Sequence, residues 1–189
     1  MAGFGISYSI PSNILPLRIY GQTIGEDEAG SLPSCLSYLA GFELSYDKIK
    51  YPTIIGIETL DTRTYTSEHG HCGPNTMFNN NTYKYTNYGK VMGAAIDTES
   101  NSYELFGQSQ ISQKINIKYS TKFVSINDND WARHRLSSKH QSGLVNSLGA
   151  TWSTNNISFS GNIYNQGFNL DKVGIKSGYG ASLSVSTIF

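Results

Sequence analysis

The chain of 189 residues is long enough to bury a sizeable core as a single domain. It has 14 Lys plus Arg and 14 Asp plus Glu, so no overall field points to nucleic acid as a partner. Only 15% of the residues are charged, whereas 19 Gly and 13 Tyr are present, and this composition excludes a disordered chain. A membrane β-barrel with a polar interior and a secreted β-sandwich or lectin both fit it.

Apolar and polar residues alternate with a period of two along almost the whole chain, which predicts an all-β antiparallel fold. The sequence has no helical stripe and no apolar run of about 18 residues, which a membrane-spanning helix requires. We predict about ten strands, each near the length of a tilted membrane-crossing strand. In chain order they are Gly5–Ile10, Leu17–Ile24, Leu36–Tyr46, Thr53–Thr64, Tyr88–Asp97, Tyr103–Gln108, Ile115–Phe123, Leu144–Thr154, Ile157–Tyr164 and Tyr179–Phe189.

The last strand shows the alternation most clearly. Leu183 and Val185 alternate with Ser182 and Ser184, so one face is apolar and the other is polar and small. The strand ends in Phe189, and such a terminal Phe resembles the recognition signal of bacterial outer-membrane barrels.

The segment from Leu15 to Glu43 carries the most specific motif, Gly-Glu-Asp-Glu-Ala-Gly at residues 25–30 followed by Leu-Pro-Ser at residues 32–34. It resembles the core sequence of the capsule assembly Wzi family. Asp-Thr-Arg-Thr at residues 61–64 and the segment Tyr88–Asp97 are similar to segments that the family carries at corresponding places.

This resemblance implies an antiparallel transmembrane outer-membrane β-barrel. It also implies a protein that binds capsular or related surface polysaccharide and anchors it to the cell surface, without catalysis or a cofactor. The expected contacts are polysaccharide and outer-membrane lipid, with no nucleic acid, and the expected state is a monomer. The whole chain, residues 1–189, would form one barrel region like the C-terminal part of a longer Wzi-family protein, and its start lacks a signal peptide.

Two other functions stay open at this point. A pore or channel barrel would have the same strand pattern, with a lumen lined by charged rings. A soluble all-β carbohydrate-active enzyme is the other alternative, and it would depend on Glu26 or Glu28.

Strand parity assigns sides if Phe189 lies in the periplasm. The turn at residues 154–156 is then periplasmic, while the connections Gln166–Gly174 and Ile126–Ser142 face outward. The same count places the long connection Tyr65–Asn87 and the acidic loop Gly25–Pro33 in the periplasm. One missed strand before residue 100 would reverse both of these assignments.

The connection Ile126–Ser142 concentrates basic and aromatic side chains. Arg guanidinium groups bind carboxylates through two parallel hydrogen bonds, and a Trp ring stacks on a sugar ring, so this loop suits an acidic polysaccharide. A solvated loop that contacts lipopolysaccharide or its own Asp residues is the plainer reading. The candidate polysaccharide-binding residues are Trp131, Arg133, His134, Arg135, Lys139 and His140.

The spacing of the acidic residues Glu26, Asp27 and Glu28 disfavours a catalytic pair. Glycoside hydrolysis requires two carboxyl groups about 5–10 Å apart across a sugar, whereas adjacent residues point in different directions. We therefore expect a structural cluster in which these carboxylates close a turn and pair with the lumen cations Arg18 and Arg63.

Residues 68–72, Glu-His-Gly-His-Cys, include metal-ligand types but lack a second pair at a zinc spacing, so no metal site is predicted. The two cysteines, Cys35 and Cys72, could form a disulfide or remain free thiols. The sequence leaves these two possibilities open.

Overall fold

The computed structural model describes residues 2–11, 16–29, 32–46, 50–65, 72–79, 86–87, 90–91 and 93–187. Its strands are β1 (Ala2–Ile10), β2 (Leu17–Ala29), β3 (Leu32–Tyr46), β4 (Thr53–Asp61), β5 (Thr86–Asn87), β6 (Lys90–Val91), β7 (Asn101–Ser112), β8 (Ile115–Ile126), β9 (Gln141–Ser153), β10 (Ile157–Gln166) and β11 (Gly178–Thr187). Nine of them form one antiparallel sheet in the order β1-β2-β3-β4-β7-β8-β9-β10-β11, and β5 pairs with β6 in a separate two-stranded sheet. Within the described residues β1 and β11 are the two edges of this open sheet.

The two faces of the sheet differ in polarity, as the alternation predicts. One face carries large apolar side chains that are exposed, with Ile6 at 76% and Leu183 at 90% of full exposure. The opposite face carries charged and hydroxyl side chains, including the Arg18–Glu43 ion pair. Since residues of a strand alternate between faces, the all-β antiparallel prediction and its two-sided pattern are confirmed.

The long connections of the sheet all leave the same end, because consecutive antiparallel strands alternate in direction. We call the described segments at this end the cap, namely residues 62–65, 72–79, 93–100, 127–140 and 167–177. The opposite end has only short connections, among them residues 113–114 and 154–156. The long described segments outside the nine-stranded sheet therefore lie together at one end of it.

This arrangement corrects the predicted side of two segments. The end of β2 and the start of β3 bond to the cap, and residues 62–100 form a single connection between β4 and β7. Both segments thus lie at the same end as residues 127–140, not at the opposite end. The count of strands included one strand that the structure does not contain, and this extra strand reversed the sides assigned to all earlier connections.

The superfluous strand is Tyr88–Asp97. Of its described residues, 90–91 and 93–97, only Lys90–Val91 is a strand, in a two-residue pairing with Thr86–Asn87. The backbone then turns, with Asp97 N–H donating to Ala94 O and Asp97 in the left-handed region at φ 63°. Ile96 is buried in the cap, so its apolar side chain was mistaken for part of a strand pattern.

The acidic segment is also not a loop. β2 continues to Ala29 and β3 begins at Leu32, with Asp27 opposite Ser34 and Glu28 opposite Pro33. The polar residues Ser109 and Gln110 likewise lie inside β7, which has a register shift between Gln110 and Ser112. In both places the strand pairing extends past a polar stretch that resembles a turn in sequence.

The main apolar core of the described residues lies where the cap meets the end of β8. Its buried members are Ile96, Phe168 and Leu170 of the cap and Val124 and Ile126 of β8. Burying one such side chain contributes about 1.5–3 kcal/mol, so these five hold two connections of the cap against the end of β8. No helix in the described part of the chain is both long and apolar enough to cross a membrane.

A disulfide fixes the cap to the sheet. Cys35 of β3 and Cys72 of the cap are bonded, with their Cα atoms 5.2 Å apart. The question that the sequence left open is therefore resolved in favour of pairing. Such a bond is typical of proteins that fold in an oxidising compartment.

Candidate functional site

Asn127 organises the connection between β8 and β9. Its side chain is fully buried; Nδ2 donates to Trp131 O (3.1 Å) and Ser137 O (3.0 Å), and Oδ1 accepts from Trp131 N–H (2.8 Å). Its backbone lies in the left-handed region at φ 58°, which Asn adopts more readily than most residues. The side-chain amide of Asn127 thus bonds backbone groups of the loop that no helix or strand pairs. Residues 127–137 are therefore held in a defined conformation.

His134 is a second internal support of this loop. It is 1% exposed; Nε2–H donates to Thr98 O (3.0 Å), and Nδ1 faces the backbone N–H groups of Leu136 and Ser137. Burial lowers the pKa of His134 below its ordinary value, so the imidazole is neutral and its 4.0 Å contact with Asp97 is not an ion pair. This residue is structural and is not available to a ligand.

Arg135 is also held within the cap. Its guanidinium bonds both oxygens of Asp97, at 2.9 and 2.5 Å, and donates to Phe78 O (3.0 Å). Asp97 is 1% exposed, and Phe78 N–H in turn donates to Glu26 of β2 (2.8 Å). A chain of bonds therefore runs from the 127–140 loop through residues 72–79 to the sheet.

The remaining candidates of the loop face outward. Arg133 is exposed and its guanidinium lies 5.3 Å from the centre of the Trp131 ring. Lys139 is exposed and has no carboxylate partner among the described residues, whereas His140 contacts Ser125 Oγ (2.9 Å) and Asp128 (3.6 Å). The structure thus brings Trp131, Arg133, Lys139 and His140 to one loop surface and places His134 and Arg135 beneath it.

The cations expected to pair with the acidic segment have other partners. Arg18 donates to Glu43 (3.2 Å), on the polar face of the sheet. Arg63 bonds Asp61 and Asp128, and these bonds, those to Asp61 first, raise its pKa further above its ordinary value. The side chains of Asp27 and Glu28 lie outside the described part of the structure, so the expected pairing of Arg18 and Arg63 with residues 26–28 stays a prediction.

The sequence reasoning placed the connection between β10 and β11 on the outside but named no binding residue in it. It contains a single 3-10 turn, Asp171–Val173, closed by a bridge between Leu170 and Ile175. Asp171 accepts hydrogen bonds from the Ser138 side chain (2.5 Å) and backbone (2.9 Å), which hold its pKa well below the usual range. Lys172 and Lys176, on either side of Gly174, could have indicated a cationic surface from the sequence alone.

Of the His and Cys residues near the possible metal motif, only Cys72 is described, and residues 68–71 lie outside the described part. The described residues bring no three His, Cys, Asp or Glu side chains together in a way that could hold a metal ion.

The chain was compared with known proteins. The family model of the capsule assembly protein Wzi matches residues 1–169. An "uncharacterized 55.8 kDa protein in cps region" of Klebsiella pneumoniae is 38% identical over 65 residues, which are 34% of this chain and 13% of that protein. A solved Wzi of Escherichia coli, described as an outer membrane protein involved in group 1 capsule assembly and a carbohydrate binding β-barrel, is 21% identical with a TM-score of 0.64.

The match to that structure covers 91% of this chain and 35% of the solved one. The chain therefore spans about a third of the length of the solved structure, and at this identity the likeness establishes the fold alone. The family match covers most of the sequence, and on that ground the chain belongs to the capsule assembly protein Wzi family.

Proposed function

We propose that this chain belongs to an outer-membrane protein that binds capsular or related surface polysaccharide through the outward surface of the cap and anchors it to the cell. The single observation that carries this proposal is the position of the Trp131–Arg133 pair. Arg133 of this pair is exposed and Trp131 is half-buried, and both lie on a braced loop at the end of a sheet whose apolar face is suited to lipid.

The apolar face supports the membrane location. Its exposed side chains include Ile6, Leu148, Ile163 and Leu183, each at least half exposed. Exposed apolar area on this scale is unfavourable in water and favourable against acyl chains. The strands of the sheet have 9 to 15 residues, which is enough for a tilted crossing of a bilayer.

The internal hydrogen bonds of the cap support a loop that binds polysaccharide rather than one that only connects two strands. Asn127 and His134 fix the backbone on both sides of Arg133, so little conformational entropy is lost when a ligand binds. A Trp ring presents an apolar face to a sugar, and a repeating polymer can contact many copies of such a site on one cell. Avidity then turns weak single contacts into stable anchoring.

We infer that the polymer is held and not cut. The buried carboxylate Asp97 is neutralised by Arg135, and Asp128 is bonded to Arg63. Glu99 is buried and accepts from the backbone N–H groups of Thr64 and Asn75. These groups are engaged in holding the cap, which leaves them poorly placed to act as a hydrolytic pair.

A pore is the second candidate, because the polar face carries the charged groups Arg18, Glu43, Glu104 and Lys122. Conductance in planar bilayers tests it directly. A braced cap over one end of the sheet predicts small or absent conductance, and large open steps would favour the pore instead.

Capsule retention tests the proposed anchoring. In encapsulated cells that lack their own copy, the full-length gene carrying Trp131→Ala should release more capsule into the medium than the gene carrying Asn129→Ala. Asn129 is an exposed neighbour with no side-chain bond in the structure, so it controls for disturbance of the loop. Equal retention with equal surface expression of the two variants would overturn the proposal.

A further inference from the structure

The outward surface of the cap has a surplus of cations without carboxylate partners. Among the described cap residues, Arg133, Lys139, Lys172 and Lys176 are exposed and form no ion pair, whereas Arg63 and Arg135 are paired. The whole chain has no net charge, so this surplus is local. It lies on two connections, residues 127–140 and 167–177.

The carboxylates of the cap do not offset this surplus. Asp97, Glu99 and Asp128 are buried or bonded to arginine, as described above. Asp130 and Asp171 remain without a cation, and each accepts hydrogen bonds from the loop itself, from His140 N–H and from Ser138. The described cap surface thus carries four cations without ion pairs and two carboxylates that already accept hydrogen bonds from the loop.

The two connections are joined into one surface. Ser138 bonds Asp171 through both its side chain and its backbone, and Lys172 N–H donates to Leu136 O (3.2 Å). Lys139 follows Ser138 and Lys172 follows Asp171, so the two lysines flank this junction. Ser177 N–H bonds Asn169 Oδ1 (2.8 Å), which closes the second connection beneath Lys176.

Exposed apolar side chains accompany the lysines of the second connection. Val173 and Ile175 are each nearly half exposed, at the tip formed by the 3-10 turn and the Leu170–Ile175 bridge. Two cations that flank two exposed apolar side chains suit a polymer that carries both carboxylates and the apolar faces of sugar rings.

We propose that residues 167–177 form a second half of the glycan site, and that Lys172 and Lys176, together with Arg133 and Lys139, select a polysaccharide bearing carboxylates. This inference rests on the proposed function and names the charge class of its ligand. The polymer would cross the Ser138–Asp171 junction and contact both connections at once.

Binding of two polymers that differ only in charge tests this selection. The probes are polygalacturonate and its carboxyl-reduced, neutral form, titrated against the protein in detergent micelles at two salt concentrations. We expect tighter binding of the acidic form, weakened by salt because exposed charges are screened beyond about 8–10 Å. The double variant Lys172→Ala, Lys176→Ala should lose about two- to thirtyfold in affinity for the acidic form, on the scale of two exposed ion pairs.

Two controls separate charge from structure. Lys50→Ala with Lys114→Ala removes the same charge from the opposite end of the sheet, where both residues are exposed, and should leave binding unchanged. Lys172→Arg with Lys176→Arg should retain affinity, since both residues lack internal bonds that a change of shape would break.

Equal affinity for the acidic and neutral polymers, or an inert Lys172/Lys176 double variant, would overturn this inference. Absence of binding to polygalacturonate would overturn it as well. Capsule retention that depends on Trp131 would still stand in each of these cases, so failure of the charge selection is distinguishable from failure of the anchoring function.

Discussion

Replacing Asn127 with alanine should open the loop of residues 127–137 while the sheet stays folded. The substitution removes all three side-chain hydrogen bonds of this buried amide, to Trp131 O, Ser137 O and Trp131 N–H. It also places alanine at φ 58°, a left-handed conformation that Asn adopts more readily than Ala.

The size of the effect follows from these contacts. Each hydrogen bond contributes about 0.5–1.5 kcal/mol net, and an unpaired buried group costs more. Trp131 O keeps a second donor, His134 N–H at 3.0 Å, which reduces the loss at that atom. We expect local stability to fall by about 3 kcal/mol, equivalent to a roughly hundredfold increase in loop opening.

Amide hydrogen exchange measures this opening directly. Amides of residues 131–137 should exchange about a hundredfold faster in Asn127→Ala, while those of β8 and β9 keep their protection. Asn129→Ala is the matched control and should exchange like the wild type. Unchanged protection of the loop in Asn127→Ala would refute the assignment of Asn127 as its organiser.

Three further substitutions or conditions probe the same cap. Arg135→Ala leaves Asp97 buried without its cation and should cost about 3 kcal/mol in thermal or denaturant unfolding, a larger loss than any exposed ion pair gives. Reducing the bond between Cys35 and Cys72, which are 37 residues apart, should cost up to about 4 kcal/mol and lower the melting temperature of the cap. The pKa of His134 is lowered by burial, so below about pH 6.5 the unfolded cap binds a proton that the folded cap does not. Cap stability should therefore be constant above that pH and fall by up to about 1.4 kcal/mol per unit below it, and His134→Gln should abolish this slope in pH-dependent hydrogen exchange.

The alternation of residues predicts the sheet well, because side chains on successive strand positions must face opposite sides. This alternation predicts strands at Ile157–Tyr164 and Tyr179–Phe189, and β10 and β11 lie at these places. Tyr88–Asp97 has a similar pattern, yet Ile96 is buried by the cap. Periodicity alone does not distinguish a strand from an apolar residue that a distant loop buries.

The cap was far less predictable. Its loop has the charged and aromatic composition of a binding surface, but the composition does not reveal which side chains point inward. His134 and Arg135 bind Thr98 and Asp97, partners more than 30 residues away that no local spacing indicates. The contribution of Lys172 likewise depends on the contact between Ser138 and Asp171, which only the folded chain brings together.

Hydroxyl-radical footprinting of the protein with bound polysaccharide tests most directly whether the cap is the glycan-binding surface. Trp131 and His140 are reactive side chains on the cap, and Tyr51 is an exposed reactive side chain at the opposite end. Bound polymer should slow oxidation of Trp131 and His140 and leave Tyr51 unchanged. Protection of Tyr51 with unchanged oxidation of Trp131 would contradict the proposal that the cap binds the polysaccharide.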